Sequence, residues 1–201
     1  MNNEMIDMHS HILYGIDDGS KTKEESIEML KKLKSLGFTS VIATPHYIEG
    51  SSYRANNTKK IDVITDIYNE IKDREDMPKI YLGNEVYILN DIEEALKEDK
   101  IYTINDTRYL LIEFSFTNKP VNLEEFLLDL RSKNIIPIIA HPERYSYVQK
   151  DTEIVRLWIK SGALLQGNYG SIISRYGENA KNTFKYLLKN GYYHFLGTDM
   201  H

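Results

Sequence analysis

The chain has 201 residues, 41% of them apolar and 27% charged, a balance that suits one globular domain (residues 1–201) able to bury a sizeable core. A net charge of −5 argues against nucleic acid as the main partner, and the absence of cysteine excludes disulfides, thiolate metal sites and cysteine-nucleophile chemistry. No run approaches the roughly 20 apolar residues that span a bilayer, and no N-terminal segment joins a basic start to an apolar stretch, so a cytoplasmic protein without membrane insertion is expected.

In chain order, a first strand is read over Glu4 to Met8, running into Asp7-Met8-His9-Ser10-His11. Side chains of a strand alternate, so His9 and His11 face one side, with Asp7 as a supporting partner. Asp17-Asp18-Gly19 reads as a turn in which one of the two carboxylates is a metal-ligand candidate. Thr22 and Glu25 form a capping box for a helix carrying Ile27, Leu30, Leu33 and Leu36, which Gly37 ends. The strand Ser40 to Ala43 delivers His46, and the loop-like stretch Gly50 to Thr58 is expected to border the site. A helix with Ile61, Ile64, Tyr68 and Ile71 on its apolar face precedes the strand Lys79 to Gly83, which leads to Glu85. The strand Tyr109 to Ile112 leads to Glu113.

Asn122, with Glu125 at the third helical position, caps a helix carrying Leu123, Phe126, Leu127 and Leu130 and ending near Asn134. The strand Ile135 to Ala140 follows and delivers His141 and Arg144. Ile154, Leu157 and Trp158 precede the strand Ala163 to Gln166, and Ala180, Phe184, Leu187 and Leu188 precede the strand Tyr193 to Leu196, beyond which lie Asp199 and His201. His194 sits before that last apolar run, near the opposite end from the other histidines, and reads as structural.

Seven strands alternating with helices imply an α/β fold with parallel pairing and right-handed crossovers. Candidate ligands follow six of the seven strands, which favours a (β/α) barrel with its site at the C-terminal strand ends. A doubly wound open sheet would gather them at one switch point instead. Imidazole nitrogen and carboxylate oxygen are the ligands of divalent transition metals. Glu85 and Glu113 sit in apolar strand-end runs, where a carboxylate is costly to bury unless paired or metal-bound. The planar fork of Arg144 suits a phosphate, although pairing with Glu143 or a helix carboxylate is the alternative.

Taken together, Ile6-Asp7-Met8-His9-Ser10-His11-Ile12-Leu13, Asp17-Asp18-Gly19, Ala43-Thr44-Pro45-His46, Leu111-Ile112-Glu113-Phe114-Ser115, Ile139-Ala140-His141-Pro142-Glu143-Arg144 and Thr198-Asp199-Met200-His201 resemble the PHP (polymerase and histidinol phosphatase) superfamily. The resemblance is closer to its bacterial protein-tyrosine-phosphatase branch of capsule and exopolysaccharide systems. It implies a distorted (β/α)7 TIM-like barrel holding three divalent ions, often manganese, although such sites also accept Fe, Zn or Co. By that resemblance His9, His11, Glu85 and Asp199 hold one metal, Glu85, Glu113 and His141 a second, and Asp18, His46 and His201 a third. Arg144 binds the substrate phosphate, and Arg144, Glu113 and His141 are the residues on which catalysis depends.

The implied reaction is metal-dependent hydrolysis of phosphotyrosine in a protein, a bacterial tyrosine kinase being the expected partner. Another phosphoesterase of the superfamily, acting on a small molecule such as histidinol phosphate, and an inactive metal-binding fragment are the alternatives. An amidohydrolase would also begin with His-x-His, but the carboxylated lysine that often bridges its metals has no strand-end candidate here. Two departures from the branch stand out: Thr198 occupies the usual serine position, and family members continue for several dozen residues beyond His201. The expectation is therefore a domain whose C-terminal part is missing. The oligomeric state stays open, a homo-oligomer included.

Overall fold

A computed structural model describes residues 4–88 and 91–201. Nine strands and seven α-helices follow one another along it. The strands are β1 (Ile6–Ser10), β2 (Ser40–Ala43), β3 (His46–Tyr47), β4 (Lys79–Leu82), β5 (Glu85–Tyr87), β6 (Tyr109–Glu113), β7 (Ile136–Ala140), β8 (Leu164–Asn168) and β9 (Phe195–Gly197). The helices are α1 (Lys23–Ser35), α2 (Asn57–Ile71), α3 (Ile92–Lys97), α4 (Leu123–Ser132), α5 (Ser146–Lys150), α6 (Ile154–Lys160) and α7 (Glu178–Lys189). Among the described residues no helix is long and apolar enough to cross a membrane.

Local chemistry accounts for most of the element boundaries. Thr22 caps α1 by accepting the Glu25 N–H, while the Glu25 carboxylate accepts the N–H of Lys21 instead of that of Thr22. Asn122 departs from expectation: its backbone is left-handed (φ 55°) and its side chain caps nothing in α4. The apolar face of α2 is also one position out of phase with the expected stripe. Lys60, Val63, Ile67 and Ile71 are buried, whereas Ile61 and Tyr68 are exposed. A buried lysine on the inner face conceals the true helical periodicity. The stretch expected to be a loop up to Thr58 ends sooner, because α2 already begins at Asn57.

All strand pairs are parallel and form two hydrogen-bonded sheets, β1-β2-β4 and β3-β5-β6-β7-β8-β9. Two of the expected strands, Ser40 to Ala43 and Lys79 to Gly83, are each followed after a two-residue break by a further short strand that was not expected. Thr44-Pro45 separates β2 from β3 and Gly83-Asn84 separates β4 from β5, so that the chain passes from one sheet into the other at both points. The outer strands meet as well: Asp199 N–H donates to the His9 carbonyl at 2.8 Å, and His11 N–H to the Met200 carbonyl at 3.0 Å. The result is a curled parallel sheet with helices outside it, in keeping with the α/β expectation.

Strand β1 lies two residues further along than expected, and its pairing with β2 slips between Asp7 and Ser10. Such a bulge re-aims side chains, and it occurs here at His9. Inside the curl, Ile42, Leu111, Ile138 and Ala140 pack with Ile104 of a short 3₁₀ turn and close the space beneath the site. Outside it, α1 and α2 bury Ile27, Leu30, Leu33, Val63 and Ile67, while α4, α6 and α7 bury Leu127, Leu130, Trp158 and Leu187. Burial of about 1.5–3 kcal/mol per large apolar side chain makes these layers the scaffold that holds the strand ends.

Candidate metal centre

The ligand candidates converge at the C-terminal end of the sheet. His9 lies within β1 and His11 just after it, Asp18 in the following turn, His46 opens β3, Glu85 opens β5 and Glu113 ends β6. His141 follows β7, with Asp199 and His201 after β9. His141 and Asp199 both adopt left-handed backbone (φ 31° and 50°), a conformation that costs a non-glycine residue energy and recurs at functional sites. A cavity of about 330 Å³ lies above them, lined by Asp18, His46, Glu85, Glu113, His141, Arg144, Asp199 and His201 together with Ile48, Tyr53, Tyr87 and Phe116.

Glu85 is central. Its Oε2 lies 3.1 Å from His9 Nε2, 3.1 Å from His46 Nδ1 and 3.4 Å from His11 Nε2, while Oε1 lies 3.0 Å from His141 Nε2. Asp199 Oδ1 lies 3.4 Å from both His9 Nε2 and His11 Nε2, and Glu113 Oε1 lies 3.5 Å from His141 Nε2. Asp18 Oδ1 faces His46 Nε2 at 3.7 Å and His201 Nε2 at 3.6 Å. Four groups of ligating atoms result: His11, Asp18, His46 and His201; His9, His11 and Asp199; His9, Glu85 and His141; His46, Glu85 and Glu113.

This donor set fits divalent cations for a specific reason. His9 Nε2 and His11 Nε2 face each other at 3.1 Å, and Glu85 Oε2 and His46 Nδ1, 3.1 Å apart, are buried without an oriented hydrogen bond among the described residues. Lone pairs aimed at one another in a dry site repel unless a positive charge lies between them.

The electrostatics show protons standing in that place. Burial disfavours a charge on His9, yet Glu85 and Asp199 outweigh it and hold its pKa up at about 9. Burial, with the neighbouring Glu85 carboxylate, pushes Glu113 up to about 9. Burial also pushes His141 down to about 4. Glu85 and Asp199 are held well below the carboxylate range, burial being outweighed in both by His9 and the other imidazoles.

Arg144 sits at the edge of this cluster. Its Nη1 donates to Asp199 Oδ2 at 2.8 Å, and its guanidinium lies between the rings of Phe116 (4.6 Å) and Tyr176 (4.3 Å). It is not paired with Glu143, whose buried carboxylate accepts from the Asn168 N–H, Ser171 Oγ and Tyr193 Oη.

Asp7 does not support a histidine ring. Its carboxylate accepts the N–H of Thr198 at 2.8 Å and the Thr198 hydroxyl at 2.6 Å, tying β1 to the segment after β9. The hydroxyl of Thr198 is thus in use. Asp17 and Gln166 orient the rings instead: His11 Nδ1 lies 2.7 Å from Asp17 Oδ2 and His9 Nδ1 lies 2.9 Å from Gln166 Oε1. Burial opposes the Asp17 charge, but His11 draws its pKa down to about 2. The two aspartates of the turn therefore divide the work, Asp18 facing His46 and His201 while Asp17 lies behind His11. His194 is away from the cluster, its Nδ1 accepting the Leu165 N–H.

Sequence reasoning missed Gln166, Asn168 and Tyr176. Gln166-Gly167-Asn168 ends an apolar strand on polar residues, a signal of the same kind that marked the ligands. Tyr53, stacked 6.0 Å from the His46 ring, comes from the segment expected to border the site.

The family profile described as "Capsular polysaccharide synthesis, CpsB/CapC" matches residues 5–201. The tyrosine-protein phosphatase YwqE of Bacillus subtilis is 34% identical over 198 residues, covering 98% of this chain and 77% of that protein. A putative tyrosine-protein phosphatase, CapC of Staphylococcus aureus, is 33% identical over 201 residues with the same coverages. Among solved structures, one from a study of YwqE of Bacillus subtilis and CpsB of Streptococcus pneumoniae, described as unique metal-dependent tyrosine phosphatases, superposes with a TM-score of 0.91 at 31% identity. It is covered to 79% by 98% of this chain.

Proposed function

Because the chain belongs to the CpsB/CapC family of capsular polysaccharide synthesis, we propose that it is a metal-dependent tyrosine-protein phosphatase that removes phosphate from a phosphotyrosine protein. One observation carries this reading: side chains able to ligate cations surround Glu85 at the floor of a cavity, and Arg144 lies at its edge. Residues 1–201 form one catalytic unit, and its two sheets together make a distorted (β/α)7 barrel of the PHP type. The substrate protein is a tyrosine kinase of capsule or exopolysaccharide synthesis, met in the cytoplasm where ATP-dependent phosphorylation takes place.

Three divalent ions fit the donor groups, with manganese favoured among the metals such sites accept. His9, His11, Glu85 and Asp199 would hold the first, Glu85, Glu113 and His141 the second, and Asp18, His46 and His201 the third. When bound, the ions lower the pKa of water towards neutrality and neutralise the phosphoryl oxygens during in-line displacement.

The protein's own residues position the substrate. Among the described residues no hydrogen bond uses Nε or Nη2 of Arg144, which can donate to the phosphoryl oxygens, while Phe116 and Tyr176 pack against the guanidinium and steady it. Ile48, Tyr53, Tyr87 and Phe116 offer an apolar and aromatic wall to the phenyl ring. A phenolate leaves with a pKa near 10, so a dedicated general acid matters less than for an alkyl phosphate. The test is Mn²⁺-dependent release of phosphate from a phosphotyrosine peptide, set against histidinol phosphate. Turnover of the peptide is expected, and turnover of histidinol phosphate alone, or of neither with metal bound, would overturn the reading.

A further inference from the structure

Strand β8 brings no metal-ligating side chain to the site, yet it ends on two fully buried amides that touch two of the candidate ligands. Gln166 Nε2 donates to the Asn168 Oδ1 at 2.9 Å and to the Gly167 carbonyl at 2.7 Å, which uses both of its hydrogens. Its Oε1 faces His9 Nδ1 at 2.9 Å. Asn168 Nδ2 donates to Asp199 Oδ2 at 2.6 Å, the oxygen turned away from His9 and His11. The circuit of hydrogen bonds ends there: the other Asp199 oxygen lies 3.4 Å from His9 Nε2, facing it across the space a cation would fill.

Every link of this circuit has a required direction. A carboxylate accepts and cannot donate, so Asn168 must turn its NH₂ towards Asp199 and its carbonyl towards Gln166. Gln166 must then turn its NH₂ towards Asn168, where the Gly167 carbonyl also requires a donor, and its own carbonyl towards His9. Only a proton on His9 Nδ1 completes the last bond, so the site-facing Nε2 is the nitrogen whose proton a cation displaces. Reversing either amide would set two acceptors against each other at under 3 Å in a buried region.

The surroundings preserve this geometry. Glu143 anchors the backbone of Asn168 at 2.8 Å. A Cβ at Gly197 would come within 2.6 Å of His9 Cβ and 3.0 Å of Gln166 Nε2, so β9 can pass only because that residue is glycine.

We propose that Gln166 and Asn168 are positioning residues of the metal centre: Gln166, oriented by the Gly167 carbonyl and by Asn168, fixes the His9 ring with Nε2 presented to a cation, and Asn168 holds Asp199. The proposal rests on the metal-dependent reading above. Its role is distinct from that of a ligand: β8 selects the tautomer of a ligand from β1 and immobilises one from beyond β9.

The test uses the full chain. In Zn²⁺-loaded protein labelled with ¹⁵N-histidine, long-range ¹H–¹⁵N spectra should show a proton on His9 Nδ1 and a metal-bound Nε2. Titration calorimetry of metal-free protein with Mn²⁺ should give an affinity about 10–100-fold weaker for Gln166→Leu, the usual effect of losing a partner behind a ligand. Asn168→Leu should also weaken Mn²⁺ binding while leaving the proton on His9 Nδ1, because the Gly167 carbonyl still orients Gln166.

A wild-type spectrum with the proton on His9 Nε2, or Mn²⁺ affinity within threefold of wild type in the variants, would overturn the proposal. Should Gln166→Leu fail to fold, the wild-type spectrum and Asn168→Leu decide alone. These readouts involve no substrate, so an absence of phosphotyrosine hydrolysis alongside them would sink only the phosphatase reading.

Discussion

Removing the Arg144 side chain tests how the substrate phosphate is held. The guanidinium spends one nitrogen on Asp199 Oδ2 at 2.8 Å and keeps Nε and Nη2 for a ligand, held between Phe116 and Tyr176. A hydrogen bond to a charged group contributes about 1.5–3 kcal/mol, and two of them would give about 3–6 kcal/mol. Arg144 is 23% exposed, which screens the interaction and favours the lower end.

About 3 kcal/mol corresponds to roughly a hundredfold. Arg144→Ala should therefore lower kcat/KM for a phosphotyrosine peptide about 100-fold. Arg144→Lys should recover only part of the loss, because an ammonium can neither donate through a planar fork nor stack between two rings. Steady-state phosphate release at saturating Mn²⁺ measures the effect, with metal content determined on the same samples because Asp199 loses a donor. A loss below threefold with metal retained would refute the assignment, as would a larger loss that follows entirely from missing metal.

Other outcomes follow from the same geometry. Glu85 lies within 3.4 Å of His9, His11, His46 and His141, so Glu85→Gln should lower the bound Mn²⁺ measured by elemental analysis by at least one ion per chain, and full retention would contradict its central place. The carboxylates of the site hold the pKa values of His9 and His11 up, and burial with the Glu85 carboxylate raises that of Glu113, so a cation must displace protons and Mn²⁺ affinity should rise with pH from 7 to about 9. Calorimetry in buffers of different ionisation enthalpy counts the released protons, and a pH-independent affinity would refute the linkage. Lys60 is buried among Asn57 Oδ1, Asn84 Oδ1 and the Lys100 carbonyl, and burial lowers its pKa from 10.5 to about 7. The unfolded chain thus binds more protons than the folded one between those values, and wild-type stability should rise from pH 7 towards 10 relative to Lys60→Met. Urea unfolding at the two pH values checks it, a constant difference being the contrary result.

Much of this architecture was legible because periodicity and strand-end chemistry are local. Apolar runs ended by His46, Glu85, Glu113 and His141 located both the strands and the cluster, since a charged or metal-ligating group at the end of a buried strand is costly unless a partner or a cation compensates it. Local reading failed wherever the neighbour decided the role. The inner face of α2 includes Lys60, which needs oxygens of Asn84 and Lys100 from other segments besides that of Asn57 in its own helix, so the expected stripe lies one position out. Asn122 had the right residue type for a cap, but its left-handed backbone turned the side chain away from α4.

Residue type and strand alternation, both written along the chain, were therefore enough to say which side chains can ligate a metal and that parallel strands bring them to one end. The pairings came from long-range packing. Asp7 went to Thr198 and Asp17 to His11, Arg144 was held between Phe116 and Tyr176 from two other segments, and the amides of β8 turned a histidine of β1. Those assignments depend on distances of about 3 Å between residues up to 191 positions apart, which strand order and packing create and no local pattern records.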